Sequence, residues 1–429
     1  MSPERDSKPR LLIIVNVFNP DRGGGGAIFS DLAYGLAERG YDVTVRCAYP
    51  YYPEWKDKSG RNGWHVERYE DQGVHVERYY IYIPSRPNSL WQRLLYEASF
   101  LASLMLLSIR RGRDHDAVMV YCPLVGAVAF AALNRWRWGK PLWLNVQDLS
   151  ADAAAASGIA KGRIVVGVLK AVQSLLFNQA QVWSSISPVM VQRLGDLRRK
   201  NQPLLYVPNW LNRSMADALA ALPGKAGRLP DNPVRLLYAG NIGKKQDLLR
   251  FCKLLSGSEA AFRFRIHGNG GGADEIRAWV SQSGDARFEF GDFMEEPAFA
   301  QALHETDFFV ITEKSGSGGS FIPCKTISGM AAGSPILAVC DADSPLGMEI
   351  RQTEAGPWFS WDDAPDAVQL LSTMEQHGER FTAWQRNALQ RAQFYERDQV
   401  IDRCAKAFDA LAAAPSPQAL REALEPLRG

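Results

Sequence analysis

The chain has 429 residues, 46% of them hydrophobic and 22% charged, which are ordinary values for globular domains and exclude wholesale disorder. Lysine and arginine number 49 against 47 aspartates and glutamates, and a formal net charge of +2 argues against a dedicated nucleic-acid-binding protein. The length predicts two or three domains whose cores fold without disulfides or structural metals.

The six cysteines are far apart and form no C-x-x-C motif, and none of the six histidines has metal-ligand spacing with a partner. We therefore expect no disulfide framework and no metal site, and a reducing cytosol as the compartment. The polar, charged N-terminus does not resemble a signal peptide.

The first half of the chain alternates between apolar strands and helical patterns. Leu11–Val17 is a continuous apolar run, typical of a parallel strand buried on both faces. The glycine loop Gly23–Gly26 follows, and then a helical pattern, Phe29–Arg39, which Gly40 ends. Further strands are predicted at Tyr41–Cys47, Ala117–Cys122, Pro141–Val146, Val182–Ile186 and Leu204–Pro208.

A second alternating series follows residues 213–233, whose three prolines and two glycines predict a linker with a short helix. Its strands are predicted at Val234–Ala239, Phe262–His267, Phe288–Phe290, Phe308–Ile311 and Pro335–Val339, before a long helical pattern, Phe381–Leu411. We therefore predict two α/β domains, each a mostly parallel sheet, with ligands at the carboxyl ends of the strands in a cleft between the domains. The predicted first domain spans residues 1–212, the linker 213–233 and the second domain 234–380. Residues 381–412 are predicted to form helices that return towards the first domain, and residues 413–429 a tail.

Two segments are apolar enough to be tested as membrane spans. Ala117–Asn134 has eighteen uncharged residues, but its pattern of strand, turn and helix favours a βαβ unit. Leu90–Arg113 has an uncharged stretch of only twelve residues between basic ends. It is either a core helix or a helix lying on an anionic membrane, with Trp91, Leu94, Leu95 and Phe100 inserted.

Three glycine-containing turns directly follow predicted strands. Gly24 and Gly25 allow close approach of a ligand to backbone N–H groups at a helix N-terminus. In the second turn, Gly240 and Asn241 precede Lys244 and Lys245, and lysine is a compact charge suited to phosphate. The third turn begins with His267, Gly268 and Asn269. Each turn alone is a weak signal, and a flexible loop or a solvated lysine pair is the simpler explanation.

The densest group of polar residues spans 312–333. A strand ends at Glu313, a glycine- and serine-rich loop with Ser320 and Phe321 follows, and Pro323 precedes a helix that begins near Lys325. A carboxylate, a lysine and a helix N-terminus at one strand end suit a sugar diphosphate, with phosphates on Lys325 and the N–H groups and hydroxyls on Glu313.

Together these motifs resemble the retaining GT-B glycosyltransferases of family 4, and most of all the bacterial branch that builds exopolysaccharide and O-antigen units, such as fucosyl- and N-acetylfucosaminyltransferases. The matching motifs, in family order, are Phe18-Asn-Pro with Gly23–Gly26, Val146–Leu149, Val207–Trp210, Gly240–Asp247, Ile266–Asn269 and Phe321–Lys325 with Ala331–Pro335. The resemblance implies two Rossmann-like domains facing each other across a cleft, a nucleotide-sugar as co-substrate and no cofactor.

The resemblance also implies roles for individual residues. Gly24 and Gly25 would lie near the donor diphosphate and the acceptor, while Lys245 and Lys325 would pair with the diphosphate. His267 to Asn269 would line the nucleotide base. Glu313 resembles the first acid of the family's Glu–seven residues–Glu element, in which Phe321 occupies the second position. Asp148 would orient the acceptor or stabilise the oxocarbenium face, unless it only caps the following turn.

The resemblance implies transfer of a sugar, with retention of configuration, from a nucleotide-sugar to a lipid-linked saccharide. UDP is the favoured nucleotide. The enzyme is expected to be cytoplasmic and to contact the membrane peripherally through Leu90–Arg113. Two alternatives remain: a UDP-sugar 2-epimerase, which shares the fold, and a non-catalytic GT-B subunit, which the incomplete acid pair would suit.

Overall fold

A computed structural model describes most of the chain. The chain divides into two compact units: the first comprises Met1–Pro208 together with Asp398–Gly429, and the second comprises Asn209–Arg397. The described residues are 8–21, 25–52, 54–60, 63–86, 89–108, 111, 114–149, 163–225, 232–316, 321–414 and 416–427, without the side chains of 163 and 165.

The first unit contains eight strands in its described residues. They are β1 (Arg10–Ile14), β2 (Asp42–Ala48), β3 (Glu67–Asp71), β4 (Val74–Tyr79), β5 (Ala117–Cys122), β6 (Leu142–Val146), β7 (Val182–Ser185) and β8 (Leu204–Tyr206). The helices are α1 (Gly26–Glu38), α2 (Leu90–Ser108), α3 (Val125–Trp138), α4 (Arg163–Phe177) and α5 (Pro188–Leu197), joined from the end of the chain by α14 (Arg397–Ala413) and α15 (Pro417–Leu424).

The first sheet has the order β3-β4-β2-β1-β5-β6-β7-β8, and all neighbours are parallel except the edge pair β3 and β4. Strand β1 lies between β2 and β5, so the chain runs outwards in both directions from β1. This is a topological switch point, and in open α/β sheets ligands bind beside it, at the carboxyl ends of the strands.

Helices cover both faces of the first sheet because successive strand residues point to opposite sides. On β6, Leu144 belongs to a core cluster with Phe100 of α2, Phe130 of α3 and Phe177 of α4. Its neighbour Trp143 faces the other way and packs on Phe408 of α14, with ring centroids 4.9 Å apart. Helices α2, α3 and α4 therefore share one face of the sheet, and α14 lies on the opposite face.

The second unit contains β9 (Val234–Asn241), β10 (Phe262–Asn269), β11 (Phe288–Gly291), β12 (Phe308–Thr312), β13 (Ile336–Val339) and β14 (Trp358–Phe359). Its helices are α6 (Arg213–Ala220), α7 (Leu248–Ser256), α8 (Ala273–Ser283), α9 (Glu296–Glu305), α10 (Cys324–Ala331), α11 (Pro345–Thr353), α12 (Ala364–Ser372) and α13 (Gly378–Ala392). The parallel sheet has the order β11-β10-β9-β12-β13-β14, with its switch point between β9 and β12. The prediction of two Rossmann-like α/β units is confirmed.

The chain passes between the units at Pro208 and Arg397, whereas the predicted boundaries were 212 and 381. Met215 of α6 is buried in the second unit, and Lys225 Nζ donates to the Leu303 carbonyl at 2.7 Å, so the predicted linker starts as part of that unit. Phe381 of α13 packs edge-on against Phe308 of β12. The long helical pattern is consequently two helices, separated by a 3-10 turn at Gln393–Tyr395.

The interpretation of Phe100 as a membrane-inserted side chain is wrong, because it is fully buried beneath α2. Among the helices in the described ranges, none combines the length and apolar character that crossing a membrane requires.

Candidate active site

The carboxyl edge of the second sheet brings most of the predicted residues together. Gly240 and Asn241 at the end of β9 pair in register with Gly268 and Asn269 at the end of β10. Glu313 directly follows β12, the strand on the other side of β9. The ends of β9 and β12 thus flank the switch point, where the topology of such sheets leaves a crevice for ligands, and the end of β10 lies beside that of β9.

Two glycines allow the backbone and Lys325 to come close at this edge. Gly240 has φ +117°, and a Cβ there would lie 3.6 Å from Cδ of Lys325. A Cβ on Gly268 would lie 2.0 Å from the Gly240 carbonyl oxygen, so only glycine fits. The left-handed φ of Gly240 also disfavours any side chain at the point where the chain leaves β9.

Lys325 lies in the first turn of α10, and its stem is partly accessible although its Nζ atom is buried. Nζ lies 3.6 Å from the centroid of the Tyr238 ring and has no hydrogen-bond partner among the described residues. Burial lowers the pKa of Lys325 to about 7, and the negative charge of Glu313 opposes that shift only in part.

Glu313 is the acidic counterpart of Lys325. Its backbone is fixed, because its N–H donates to the Val339 carbonyl at 2.9 Å and its carbonyl accepts from Nε1 of Trp361 at 2.7 Å. The side chain is 9% exposed, and its Oε2 atom is buried without a partner among the described residues. Burial raises the pKa of Glu313 to about 7, while a hydrogen bond with Ser344 and the charge of Lys325 act in the opposite direction.

A buried carboxylate oxygen and a buried ammonium, each unsatisfied, are unusual in a folded protein, where nearly all buried polar groups are hydrogen-bonded. Each group shifts the other's pKa electrostatically, yet no hydrogen bond joins them. This arrangement leaves both groups available to a polar ligand at the switch point.

The loop that carries Lys245 is attached to the same edge. The Lys245 carbonyl accepts from the N–H of Lys314 at 2.7 Å, and the Gln246 carbonyl accepts from the hydroxyl of Thr312 at 2.5 Å. The Lys245 side chain is exposed. The structure therefore places the backbone of this lysine beside the end of β12, and its role in binding a diphosphate stays a prediction.

The predicted base-binding residues lie one strand further along the sheet. His267 Nδ1 lies 3.1 Å from the Asp292 carbonyl oxygen, and its ring packs against Gly291, where a Cβ would come within 2.3 Å. The Asn269 carbonyl accepts from Ile242 N at 2.8 Å, which closes the turn after β9 against β10.

The remaining predicted residues are less informative. Pro323 occupies the N-cap position of α10, and Phe321 is 37% exposed just before it. Gly24 and Ser320 lie outside the described residues.

Gly25 and Asp148 belong to the first unit. Gly25 precedes α1, and its carbonyl accepts from Phe29 N at 2.9 Å. Asp148 follows β6, and its Oδ1 accepts from Leu149 N at 2.8 Å, the turn-capping contact that is its simpler explanation. The predicted set is thus divided between the two units.

Two features were missed by sequence reasoning. Tyr238 precedes Gly240 inside a strand, where only the fold reveals that its ring lies beneath Lys325. Beyond β1, Asn16 Nδ2 donates to the hydroxyls of Tyr51 and Tyr96 at 2.7 and 2.6 Å, and these hydroxyls are 2.7 Å apart. Asn16 follows the strand at the first unit's switch point, but its partners are 35 and 80 residues away in sequence.

Within the described residues, no group of three or more histidine, cysteine, aspartate or glutamate side chains could hold a metal ion.

Comparison with known proteins shows similarity to glycosyltransferases. Residues 23–210 match the glycosyl transferase 4-like domain. The chain is 27% identical over 378 residues to the glycosyl transferase WcaI, assigned to colanic acid biosynthesis in Escherichia coli (strain K12), and the match covers 84% of this chain and 90% of WcaI.

Solved structures show the same fold at low sequence identity. Sucrose-phosphate synthase from Thermosynechococcus elongatus is 14% identical with a TM-score of 0.69, and the match covers 95% of this chain and 100% of that one. Anabaena HepE, in complex with UDP and glucose, is 14% identical with a TM-score of 0.63, and the match covers 94% and 100% of the two chains.

Proposed function

We propose that the chain is a glycosyltransferase of the GT-B fold that moves a sugar from a nucleotide-sugar to a hydroxyl of a lipid-linked saccharide. The match of residues 23–210 to the glycosyl transferase 4-like domain and the fold shared with sucrose-phosphate synthase support this proposal. The proposed process is synthesis of a cell-surface polysaccharide, and the similarity to WcaI supports it. UDP is the proposed nucleotide because HepE, which shares the fold, binds UDP. The proposed sugars are of the hexosyl, N-acetylhexosaminyl or fucosyl class.

The observation that carries the proposal is the pair of buried, unsatisfied groups at the switch point, Lys325 Nζ and Glu313 Oε2. A sugar diphosphate would satisfy both, since its phosphate oxygens accept from an ammonium and its sugar hydroxyls donate to a carboxylate. Such a ligand would also convert two costly buried charges into hydrogen-bonded ones.

The proposed mechanism is electrostatic and proceeds with retention of configuration. As the bond from the sugar to the diphosphate breaks, negative charge grows on the leaving phosphate, and Lys325, Lys245 and loop N–H groups stabilise it. Glu313 holds the hydroxyls of the sugar, and Asp148 orients the acceptor. The acceptor hydroxyl oxygen forms the new bond to the anomeric carbon, and the departing diphosphate takes the proton of that hydroxyl. Losing one preorganised donor of this kind typically costs about 3 kcal/mol, or roughly a hundredfold in rate.

The two alternative functions make different predictions in one incubation. A UDP-sugar 2-epimerase would convert a nucleotide-sugar to a new one without an acceptor, whereas the proposed transferase would give at most slow hydrolysis. A non-catalytic subunit would do neither. The buried Lys325 and Glu313 speak against the last alternative, because unsatisfied buried charges destabilise a protein that has no ligand for them.

The experiment has two steps. Thermal-shift measurements with UDP, GDP and dTDP identify the base, and the corresponding nucleotide-sugars are then incubated with and without a lipid-linked saccharide. Acceptor-dependent release of the nucleotide with formation of a longer saccharide is the expected result. Formation of an isomeric nucleotide-sugar, or no turnover of any donor, would contradict the proposal.

We further propose that the enzyme works in the cytoplasm, needs no cofactor, and meets its lipid-linked acceptor as a peripheral protein, with residues 90–113 contributing to membrane contact.

A further inference from the structure

Helix α4 presents four of its apolar residues to solvent, although Phe177 at its end packs in the core. Ile164, Val168, Val172 and Leu175 are spaced to lie on one side of the helix, and all four are exposed, Ile164 at 84%. In contrast, the polar Gln173 on the same helix is only 6% exposed. A surface helix of a globular protein normally has the opposite arrangement, so this apolar stripe requires an explanation.

The two helices beside α4 extend the apolar surface. Helix α3 contacts both α2 and α4, and the three helices cover one face of the first sheet. Trp136 of α3 is 82% exposed, and Trp91 and Leu106 of α2 are also largely exposed. We call this surface the helical face; its exposed large apolar residues are Trp91, Leu94, Leu95, Leu106, Leu133, Trp136, Ile164, Val168, Val172 and Leu175.

The charges of the helical face are almost all positive. The cations of α2, α3 and α4 whose side chains the structure describes are Arg93, Arg135, Arg137 and Lys170, and Glu97 is the only acid in these helices. The Glu97 carboxylate points into the protein, where it accepts from Gly126 N at 2.8 Å, and burial raises its pKa to about 7. It therefore does little to offset the cations that surround the apolar residues.

We propose that the helical face binds the surface of an anionic lipid bilayer, with the α4 stripe, Trp91 and Trp136 at the level of the headgroups and the basic residues on lipid phosphates. Tryptophan is favoured at membrane interfaces, and lysine and arginine are attracted to anionic leaflets. A second copy of the chain fits less well, because a symmetric interface would place this positive surface against itself. The inference rests on the proposed function in that a lipid-linked acceptor requires such contact.

The surface differs from the one predicted from sequence. Within residues 90–113 the predicted contact included Phe100, which is buried, and Arg111, whose Nη1 donates to Glu77 at 3.0 Å. Six of the ten exposed large apolar residues of the helical face lie on α3 and α4.

The test is co-flotation of the full chain with phosphatidylcholine vesicles that do or do not contain phosphatidylglycerol. We expect binding to the anionic vesicles only, with release as the salt concentration rises from about 0.1 M to about 1 M, which shortens the Debye length from roughly 10 Å to roughly 3 Å. The double variant Val168→Glu with Val172→Glu should bind at least about tenfold more weakly, because it places charge where apolar contact is needed. Arg137→Glu with Lys170→Glu should also lose binding.

Matched controls alter the same residue types elsewhere. Leu389→Glu changes an exposed leucine of α13 in the second unit, and Lys406→Glu reverses an exposed charge of α14 on the opposite face of the first sheet. Both should bind like the wild type. Thermal unfolding checks that every variant is folded.

Three results would overturn the inference: no binding to anionic vesicles, equal binding by the helical-face variants, or equal binding to neutral vesicles. A dimer that Val168→Glu dissociates, in a protein that ignores vesicles, would identify a second copy as the occupant. Nucleotide-sugar hydrolysis without acceptor separates this inference from the proposed function. If hydrolysis persists while vesicle binding fails, only the helical face is refuted; if vesicles bind while no donor is turned over, only the transferase is.

Discussion

Lys325 Nζ lies 3.6 Å from the centroid of the Tyr238 ring, so this buried ammonium faces an aromatic surface and not a carboxylate. The negative face of the ring stabilises the cation without satisfying any of its three donors. The lysine is thereby held at the end of β9 with its hydrogen-bonding capacity unused. This relationship makes Lys325 the residue whose removal should be most informative.

Lys325→Ala should leave the fold intact and lower the transfer rate by roughly a hundredfold, because the departing diphosphate loses a preorganised cation. The measurement is kcat with the donor identified by thermal shift. Lys244→Ala, which removes an exposed lysine from the neighbouring loop, serves as the control and should have little effect. Near wild-type turnover in folded Lys325→Ala would remove the lysine from the mechanism.

Tyr238 should act on Lys325 through its ring. Tyr238→Phe keeps the ring and loses only the hydroxyl, which donates to the Asn241 carbonyl at 2.6 Å, so its pH–rate profile should stay close to that of the wild type. Tyr238→Leu removes the attraction between the ring and the cation, about 0.5–2 kcal/mol, and should therefore lower the pKa of Lys325. As the pH rises, this variant should lose activity at a lower pH than the wild type does. Identical profiles for the two variants would show that the ring only fills space.

Nucleotide binding should be coupled to proton uptake. In the free protein burial lowers the pKa of Lys325 to about 7, so near pH 8 the amine is largely neutral, whereas a bound diphosphate favours the ammonium. UDP affinity should therefore fall as the pH rises above 7. Calorimetry near pH 8 in buffers of different ionisation enthalpy measures the uptake directly. Lys325→Met should abolish it, and an unchanged uptake in that variant would assign the proton to another group.

Stability should depend on the same two groups. The pKa of Glu313 is raised from 4.5 to about 7 in the folded protein. Its contribution to the free energy of unfolding is therefore present at low pH and is lost as the pH rises through that range. The pKa of Lys325 is lowered from 10.5 to about 7 in the folded protein. Its contribution to the free energy of unfolding is therefore present at high pH and is lost as the pH falls through that range. The ligand-free protein should accordingly gain Tm on Lys325→Met near pH 7, and the gain should shrink towards pH 10. A lower Tm for Lys325→Met near pH 7 would contradict this account.

Glu313→Gln keeps the size of the side chain and removes its charge, so it should weaken use of the donor sugar more than binding of the bare nucleotide. The comparison is KM and kcat for the nucleotide-sugar against Kd for UDP. Equal losses in both would place Glu313 away from the sugar.

The sequence by itself determined the strand pattern and which candidate residues follow the strand ends. Continuous apolar runs such as Val234–Ala239 and Phe308–Ile311 predict parallel strands because both faces of such strands are buried, and the structure confirms them as β9 and β12. Glycines and polar residues immediately after a strand mark its carboxyl end. Glu313 and Lys325 could therefore be placed at one edge of a sheet from local information.

Tertiary structure alone decided which residues surround that edge and which face outwards. Tyr238 is an ordinary strand tyrosine in the sequence, and only the order of β9 and β12 with α10 places its ring beneath Lys325. Periodicity shows that α4 has an apolar side but not whether that side meets the core, because the choice depends on what the neighbouring helices cover. The same holds for Phe100, which α2 buries while it leaves Trp91 exposed. Whether such an apolar residue is buried or exposed depends on packing between elements that are distant in sequence, and no local pattern encodes that packing.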